Sequence, residues 1–252
     1  MVGTYNGWLV LASILVAIFV SHTALGLSAR VAQAKAEAAM HGWLVGGALA
    51  MGAGIWSMHF VGMLAFSLPV PLAYDLPITA ASLVIAIVIS GFALSVAANP
   101  QISIPHLCVA AVIMGVGISA MHYAGMTAIE IQPMITYEPG LLAGSILIAV
   151  VASFAALWLF FRLRDASTPA VRLMRLGAAF IMGLAISGMH YTGMAASHFS
   201  AKSICIGGDN IDNRWLAIVT AAVAVGVLTV TTFFLVNDTR SRRARGAQAV
   251  VR

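Results

Sequence analysis

The sequence predicts an all-α, polytopic membrane protein with seven transmembrane helices, built as three repeated helix pairs plus a seventh helix. Of the 252 residues, 61% are hydrophobic and 8% are charged, which is too few charges to give a globular domain of this size a solvated surface. The hydrophobic residues fall in continuous runs of about 20, the length of a helix that crosses the hydrocarbon core of a bilayer. The strands of a β-barrel would instead alternate apolar and polar residues.

The bounds of the spans follow from hydropathy, taken in order along the chain. The first run lacks the basic segment that begins a secretory signal and is longer than the apolar part of one, so it is predicted to remain as a helix. The spans cover residues 8–27, 42–66, 78–98, 107–129, 141–161, 173–197 and 216–236. They make up a membrane domain at residues 1–238, and residues 239–252 form a basic cytoplasmic tail.

The distribution of basic residues predicts how the spans are oriented. Of the 13 lysines and arginines, all but Lys202 and Arg214 lie in the tail, in the segments after the first and fifth spans, or, in the case of Arg175, at the start of the sixth span. The positive-inside rule therefore predicts an outside N-terminus and a cytoplasmic C-terminus. Because this topology accounts for the net charge of +5, no nucleic-acid partner is expected, and the tail is expected to face water or anionic lipid.

An internal repeat relates the three even-numbered spans. Each carries the pattern M-G-x-[GA]-I-x-x-M-H-[FY]-x-G-M, which begins at Met51, Met114 and Met182. Small residues at every fourth position also repeat in the odd-numbered spans, starting at Ser13, Ser82 and Ser145. Such residues let helices approach closely in lipid. Since each helix pair starts and ends outside, the three copies share one orientation and any symmetry axis runs along the membrane normal.

The pattern places its methionines and its histidine on one face of each helix, given roughly 100° per residue. Each imidazole lies about 10 Å below the outer helix end, within the outer leaflet. A neutral imidazole in hydrocarbon needs partners for both nitrogens, so three at one depth indicate a site. The candidate metal ligands are His59, His122, His190, Met58, Met121, Met189, Met63, Met126 and Met194. Secondary candidates are Met51, Met114, Met182, Tyr123, Tyr191, Phe60 and His198.

The combination of thioether and imidazole donors favours copper, because Cu(I) prefers sulfur ligands. Magnesium and calcium require oxygen ligands, and zinc usually binds Cys, His or carboxylate rather than Met. Haem with His or Met axial ligands, held between facing helices, is the alternative cofactor. A purely structural role is also open, because methionine fills irregular gaps between helices.

Apart from Arg175, three residues into the sixth span at its cytoplasmic end, the predicted spans contain no Asp, Glu, Lys or Arg. This absence argues against a proton- or sodium-coupled transporter, since such proteins use ionisable residues within the membrane. It also removes the usual acids and bases of membrane hydrolases, so the chain is not predicted to be an enzyme.

The motifs Met58-His59-Phe60, Met121-His122-Tyr123 and Met189-His190-Tyr191, carried on alternate spans, resemble the MHYT domain of bacterial membrane sensors. The resemblance covers essentially all of the predicted spans and implies a sensory module of the bacterial inner membrane. In that family, the Met, His and aromatic residues near the periplasmic face are proposed to coordinate copper and to perceive oxygen, carbon monoxide or nitric oxide. The family's helices often precede cytoplasmic cyclic-di-GMP synthase and phosphodiesterase domains, or other signalling outputs.

Two features depart from the family's pattern. The first motif has Phe60 where the others have tyrosine, and Phe cannot donate a hydrogen bond to a bound ligand. About 16 residues follow residue 236, so no output domain is expected, and the chain either signals through a separate cytoplasmic partner or is part of a longer protein.

The expected function is a copper-dependent sensor of a diatomic gas or of redox state, with the signal passing inward through the sixth and seventh spans. Three alternatives are retained. A membrane copper carrier or chaperone would pass Cu(I) along the Met-rich faces, a haem-binding membrane protein would use the same side chains as axial ligands, and a structural protein would use them for packing.

Overall fold

The computed structural model describes residues 1, 3–34, 36–99, 101–163, 169–206 and 211–250. Within these residues the chain forms seven helices, each with a segment long and apolar enough to cross a membrane. The helices are α1 (Gly7–Gln33), α2 (Glu37–Ala65), α3 (Leu76–Ala98), α4 (Ile104–Thr127), α5 (Pro139–Leu163), α6 (Pro169–Ala196) and α7 (Asn213–Val250). The predicted fold class, an all-α polytopic membrane protein, is confirmed.

The helices extend further than the predicted spans, mainly at one end of the bundle. α1 continues to Gln33 where the prediction ended at 27, and α7 continues to Val250 where it ended at 236. Hydropathy locates the apolar part of a helix, whereas Ala, Gln and Arg continue the helix into polar surroundings at little cost. Most of the predicted tail is therefore the last part of α7, and residues 251 and 252 lie outside the described residues.

A polar side chain caps the start of α1, α3 and α5. Asn6, Asp75 and Glu138 each accept hydrogen bonds from backbone N–H groups of the first helical turn, which fixes where these helices begin. The N–H groups of Leu141 and Gly140 hold the pKa of Glu138 below its ordinary value. Because the folded-state pKa is lowered, the stabilising effect of this cap is present at neutral pH and is lost as the pH falls through the acidic range.

Short antiparallel ladders join the chain segments at the end of the bundle that carries these caps. The paired strands are β1 (Thr4–Tyr5) with β2 (Phe66–Ser67), β3 (Ala73–Tyr74) with β8 (Ile211–Asp212), β4 (Ile131–Gln132) with β7 (Ile204–Cys205), and β5 (Thr136–Tyr137) with β6 (Ser197–His198). Tyr74 also bridges to Ile129. We call this end of the bundle the capped end, and the opposite end, where α7 extends, the tail end.

Helices α1 to α6 form a closed helix ring, in which each helix packs against the next and α6 packs against α1. The first glycine of each motif copy makes the tightest of these contacts, because a Cβ atom there would lie 2.5–2.6 Å from a backbone Cα of the neighbouring odd-numbered helix. The three contacts are Gly52 with Ile87, Gly115 with Val150, and Gly183 with Ile18. The third contact joins α6 to α1 and closes the ring.

Helix α7 lies outside the helix ring and packs mainly against α2, with a smaller contact to α1. The face that it turns toward the ring carries Leu216, Thr220 and Ala224, which are all buried and are spaced one turn apart. The sequence analysis predicted a signal path through the sixth and seventh spans, which would require α6 and α7 to pack together. Instead, α1 occupies the position beside α6, so the main contact of α7 is with α2.

The glycine contact that closes the ring can be tested by substitution. Gly183→Ala places a methyl group against the α1 backbone at Ile18, and such overpacking costs about 1–3 kcal/mol. Gly188→Ala on the same helix is the matched control, because a Cβ there has no neighbour within 4 Å. We expect thermal unfolding in detergent to shift down by several degrees for Gly183→Ala and little for Gly188→Ala. Equal melting temperatures for the two variants would contradict this closure.

Candidate metal centre

The histidines of the three motif copies, His59, His122 and His190, meet inside the helix ring and form a His triad. Their side chains are at most 1% exposed. Nδ1 of His59 lies 3.1 Å from Nδ1 of His190 and 3.1 Å from Nδ1 of His122. The ring centroids are 4.9–5.1 Å apart and the ring planes are close to perpendicular. The structure therefore brings the predicted histidines together, with Nδ1 of each ring directed at its neighbours.

A glycine of another motif copy lies against the second nitrogen, Nε2, of each imidazole. A Cβ atom on these glycines would lie 2.3–2.4 Å from Nε2, so a larger residue would displace the ring. The pairs are His59 with Gly125, His122 with Gly193, and His190 with Gly62. Among the described residues, no group forms a hydrogen bond with any of the three Nε2 atoms. Steric contact with the glycines, rather than hydrogen bonding, thus sets the orientation of the imidazole rings at Nε2.

The His triad has the donor chemistry and nearly the dimensions of a metal site. Among the described His, Cys, Asp and Glu residues, these three histidines form the group whose ligand atoms lie close enough together to hold an ion. When three nitrogen ligands surround an ion in one plane at about 2.0 Å, the nitrogens lie about 3.5 Å from one another. The two separations of 3.1 Å are slightly shorter, so a small outward movement of the rings would admit an ion. The residues present therefore fit a single metal ion.

The tyrosines of the second and third motif copies point toward neighbouring helices. The hydroxyl of Tyr123 is 2.6 Å from the hydroxyl of Ser145, and that of Tyr191 is 2.7 Å from the hydroxyl of Ser13. Each phenol ring also packs edge-on against the histidine that precedes it, with centroids 4.8 Å apart. The hydroxyl groups therefore link even- and odd-numbered helices and are engaged away from the triad.

The first motif copy keeps the same helix-to-helix link with a different donor. Phe60 has no hydroxyl group, and Ser82, the equivalent of the two serines above, accepts a hydrogen bond from the Trp56 indole N–H at 3.0 Å. The Trp56 ring packs against Phe60, with centroids 4.7 Å apart. The departure of Phe60 from the family's pattern is thus compensated one turn earlier on the same helix.

The methionines of the motif are all buried, but the structure divides them between the two sides of the triad. On the tail side, the first methionine of each copy lines a cavity; these residues are Met51, Met114 and Met182. On the capped side, the last methionine of each copy packs with residues of the segments at the capped end; these are Met63, Met126 and Met194. The methionines that precede the histidines, Met58, Met121 and Met189, are each 1% exposed.

His198 lies apart from the triad. It is exposed in β6 at the capped end, where it pairs with Thr136. Its Nδ1 lies 3.1 Å from the carbonyl oxygen of Ala196, to which it donates a hydrogen bond when protonated. Its position is thus at the surface of the bundle.

A layer of tyrosines on the capped side of the triad was missed by the sequence analysis. Tyr5, Tyr74 and Tyr137 precede α1, α3 and α5, and their ring centroids lie 5.9 Å from Tyr191, 6.2 Å from Phe60 and 5.2 Å from Tyr123, respectively. Burial raises the pKa of Tyr137 to about 12. Each tyrosine lies eight residues before the serine that begins an odd-numbered repeat. Extending the repeat alignment toward the N-terminus by that distance would have found all three.

Comparison with known sequences gives the class of protein. The chain matches the MHYT family, described as "Bacterial signalling protein N terminal repeat", over residues 52–110, 115–172 and 183–248. Three matched units confirm the threefold repeat. Each unit begins in an even-numbered helix and extends through the odd-numbered helix that follows, so α7 belongs to the third unit in sequence although it lies outside the ring.

Named relatives are bacterial signalling proteins that are longer than this chain. The chain is 51% identical over 241 residues to the bifunctional diguanylate cyclase/cyclic di-GMP phosphodiesterase MucR of Pseudomonas aeruginosa. The aligned region covers 95% of this chain and 35% of MucR. It is 38% identical over 231 residues to the cyclic di-GMP phosphodiesterase NbdA of the same organism, covering 89% of this chain and 29% of NbdA. It is 41% identical over 200 residues to the signaling protein YkoW of Bacillus subtilis, and the aligned region covers 78% of this chain and 24% of YkoW.

The chain belongs to the MHYT family, and it is a membrane sensor domain of the kind found in bacterial signalling proteins. It spans about a third or less of the length of these curated relatives. No solved structure matches it.

Proposed function

We propose that this chain senses a diatomic gas (O2, CO or NO) or redox state through one copper ion held by the Nδ1 atoms of His59, His122 and His190. The observation that carries this proposal is the convergence of three buried imidazole nitrogens in an interior whose other polar side chains are uncharged. Such a donor set can hold a cation, and the protein supplies no carboxylate there to compete for it or to neutralise it. The role that we propose for this site is sensory rather than catalytic, because the family match is to signalling proteins.

The surroundings of the triad favour copper among the ions that imidazole binds. Imidazole suits zinc, iron and nickel as well as copper, and the soft thioethers on both sides of the triad favour copper among them as neighbours of the ion rather than as its direct ligands. When bound, copper would supply a redox couple and an open position for a small ligand. Haem is disfavoured because the three imidazoles contact one another directly, with centroids 4.9–5.1 Å apart, which leaves no space for a porphyrin between them.

We further propose the orientation that the basic residues predict, in a bacterial inner membrane. The capped end faces outward and the tail end faces the cytoplasm. α7 has 38 residues, which at 1.5 Å per residue gives a rod of about 57 Å, well beyond the ~30 Å of hydrocarbon. The tail end of α7 thus reaches into the cytoplasm, toward an output domain or a separate signalling partner.

Two sets of contacts link the triad to α7. Within the membrane, α7 packs along α2, the helix that carries His59. At the capped end, Phe60 packs edge-on against His59 and also contacts Tyr74. Tyr74 in turn pairs with Ile211, just before α7 begins. A shift of the His59 ring therefore moves both the partner helix of α7 and the strand that anchors its first residue.

For such a shift to signal, the two packings of α2 and α7 must differ in their affinity for the ligand, since a ligand that binds both equally changes nothing. The geometry of the triad provides a reason for such a difference in affinity. The three imidazoles must move apart slightly to accept an ion, and each already packs tightly against a glycine of another motif copy. Expansion at the triad is therefore transmitted to the even-numbered helices.

A copper carrier is the second candidate, because methionines lie on both sides of the triad. A carrier needs soft ligands along the whole path, however. Among the described residues, the buried methionines all belong to the three motif copies, and the core toward the tail end consists mainly of Ala, Leu, Phe and Val. The layers of thioethers thus end within the membrane, which favours sensing over transport.

Copper binding is tested with the purified chain in detergent. We expect wild-type protein to retain one Cu(I) per chain, and His122→Leu to weaken binding by at least about 100-fold, because loss of a ligand exceeds the loss of a supporting contact. His198→Leu is the matched control and should bind like the wild type, since His198 lies outside the triad. The measurement is competition with a Cu(I) chelator, with thermal unfolding to verify that each variant is folded.

Wild-type protein that retains no copper, or His122→Leu protein that binds as tightly as the wild type, would overturn the proposal. A Soret band in the visible spectrum of the purified chain would instead indicate haem. Copper flux into proteoliposomes would favour the carrier.

Coupling to α7 is tested by hydrogen exchange of its backbone amides in copper-free and copper-loaded protein. We expect a copper-dependent change in α7 of the wild type. Ala224→Phe should abolish this change while copper still binds, because Ala224 is 7% exposed and lies on the buried face of α7. Val225→Phe, at the adjacent lipid-facing position that is 61% exposed, should preserve it. A copper response that survives in Ala224→Phe would argue against this route.

A further inference from the structure

The helix ring encloses a cavity one helical turn to the tail side of the His triad. Its volume is about 40 Å³. Its walls include the first methionine and the isoleucine of every motif copy, namely Met51, Met114, Met182, Ile55, Ile118 and Ile186. Each isoleucine lies one turn before a triad histidine, or about 6 Å along the helix axis. The first half of the motif, which the metal centre does not use, therefore builds the wall of this cavity.

Two serine hydroxyl groups line the same cavity without a hydrogen-bond partner. Ser21 on α1 and Ser153 on α5 are each 1% exposed, and within the described part of the chain neither hydroxyl oxygen has a hydrogen-bond partner. A buried hydroxyl without a partner is unfavourable, so its presence at a cavity wall points to something that the cavity holds. The third copy of this serine, Ser90 on α3, is also buried and unpartnered, but it does not line the cavity.

The size and the walls of the cavity define what it can bind. A volume of about 40 Å³ corresponds to roughly three positions of a water-sized probe, at about 10–15 Å³ each. No charged side chain is among the lining residues, which are alkyl and aryl groups, thioethers and the two hydroxyls. An ion would lose its hydration without compensation there. An uncharged molecule of two or three non-hydrogen atoms fits, and it can reach the site through the hydrocarbon of the membrane.

We propose that this cavity is a binding site for a small, uncharged, membrane-soluble molecule, positioned on the face of the His triad that is turned away from the strands. Ser21 and Ser153 donate hydrogen bonds to the polar end of the bound molecule, and the methionines and isoleucines contact the rest. Binding itself is a property of the cavity in the metal-free protein. Only the sensing of its occupancy by the triad rests on the proposed function.

Xenon is the probe, because apolar protein cavities of this kind take it up. Crystals of the complete, metal-free chain under xenon pressure should show an anomalous peak between Ser21 and Ser153. Ser153→Val fills part of the cavity and should lower xenon occupancy several-fold. Ser90→Val, the same change at the matched repeat position outside the cavity, should leave occupancy unchanged. Ser21→Val is a second filling variant, on a different helix, in case Ser153→Val does not fold.

The copper measurement separates this inference from the proposed function. His122→Leu should lose copper and keep xenon, whereas Ser153→Val should lose xenon and keep copper. Wild-type crystals without a xenon peak, in which ordered water bonds to Ser21 and Ser153, would overturn the cavity proposal and leave the metal centre standing. Equal xenon occupancy in Ser153→Val and Ser90→Val would overturn it as well.

Discussion

The burial of three imidazoles at one point in an uncharged membrane interior is the constraint on which the rest of the structure depends. Each neutral imidazole has a donor and an acceptor, and leaving either unpaired in hydrocarbon costs several kcal/mol. The triad reduces this cost by pairing Nδ1 of His59 with Nδ1 of His122 and of His190. Among the described residues, none of the three Nε2 atoms has a hydrogen-bond partner. A cation bound among the three Nδ1 atoms would give each of these acceptors a partner, which is the physical link between the fold and the proposed metal-dependent function.

The architecture follows from the need to hold these rings in place. The glycine three residues after each histidine has no side chain, and the space this leaves is occupied by the imidazole of another motif copy. The first glycine of each copy brings an odd-numbered helix into backbone contact, and polar links through Tyr123, Tyr191 and Trp56 keep even and odd helices in register. The cap of paired strands then joins the start of each repeat to its end. Helix α7, packed against α2 outside the ring, breaks this symmetry.

The sequence was sufficient for the spans, the repeat and the shared face of the motif, because hydropathy and helical periodicity are local properties. It could not show which residues meet across the ring. That α1 rather than α7 lies beside α6, and that Gly125 lies against His59, depend on packing between distant segments. Helical rise places Met51 and Met63 on opposite sides of His59, and the expectation that methionines act with the histidines stays a prediction. Tyr74 was overlooked because the repeat alignment stopped short of the loops.

The central claim is that three Nδ1 atoms, and not the surrounding thioethers, are the direct ligands of a copper ion in the triad. X-ray absorption at the copper edge of the Cu(I)-loaded chain tests this claim most directly, because nitrogen and sulfur neighbours differ in scattering and in distance. We expect three nitrogen neighbours at about 2.0 Å from the copper ion, with the multiple scattering of imidazole rings. A first shell dominated by sulfur, or a copper ion without imidazole scattering, would contradict it.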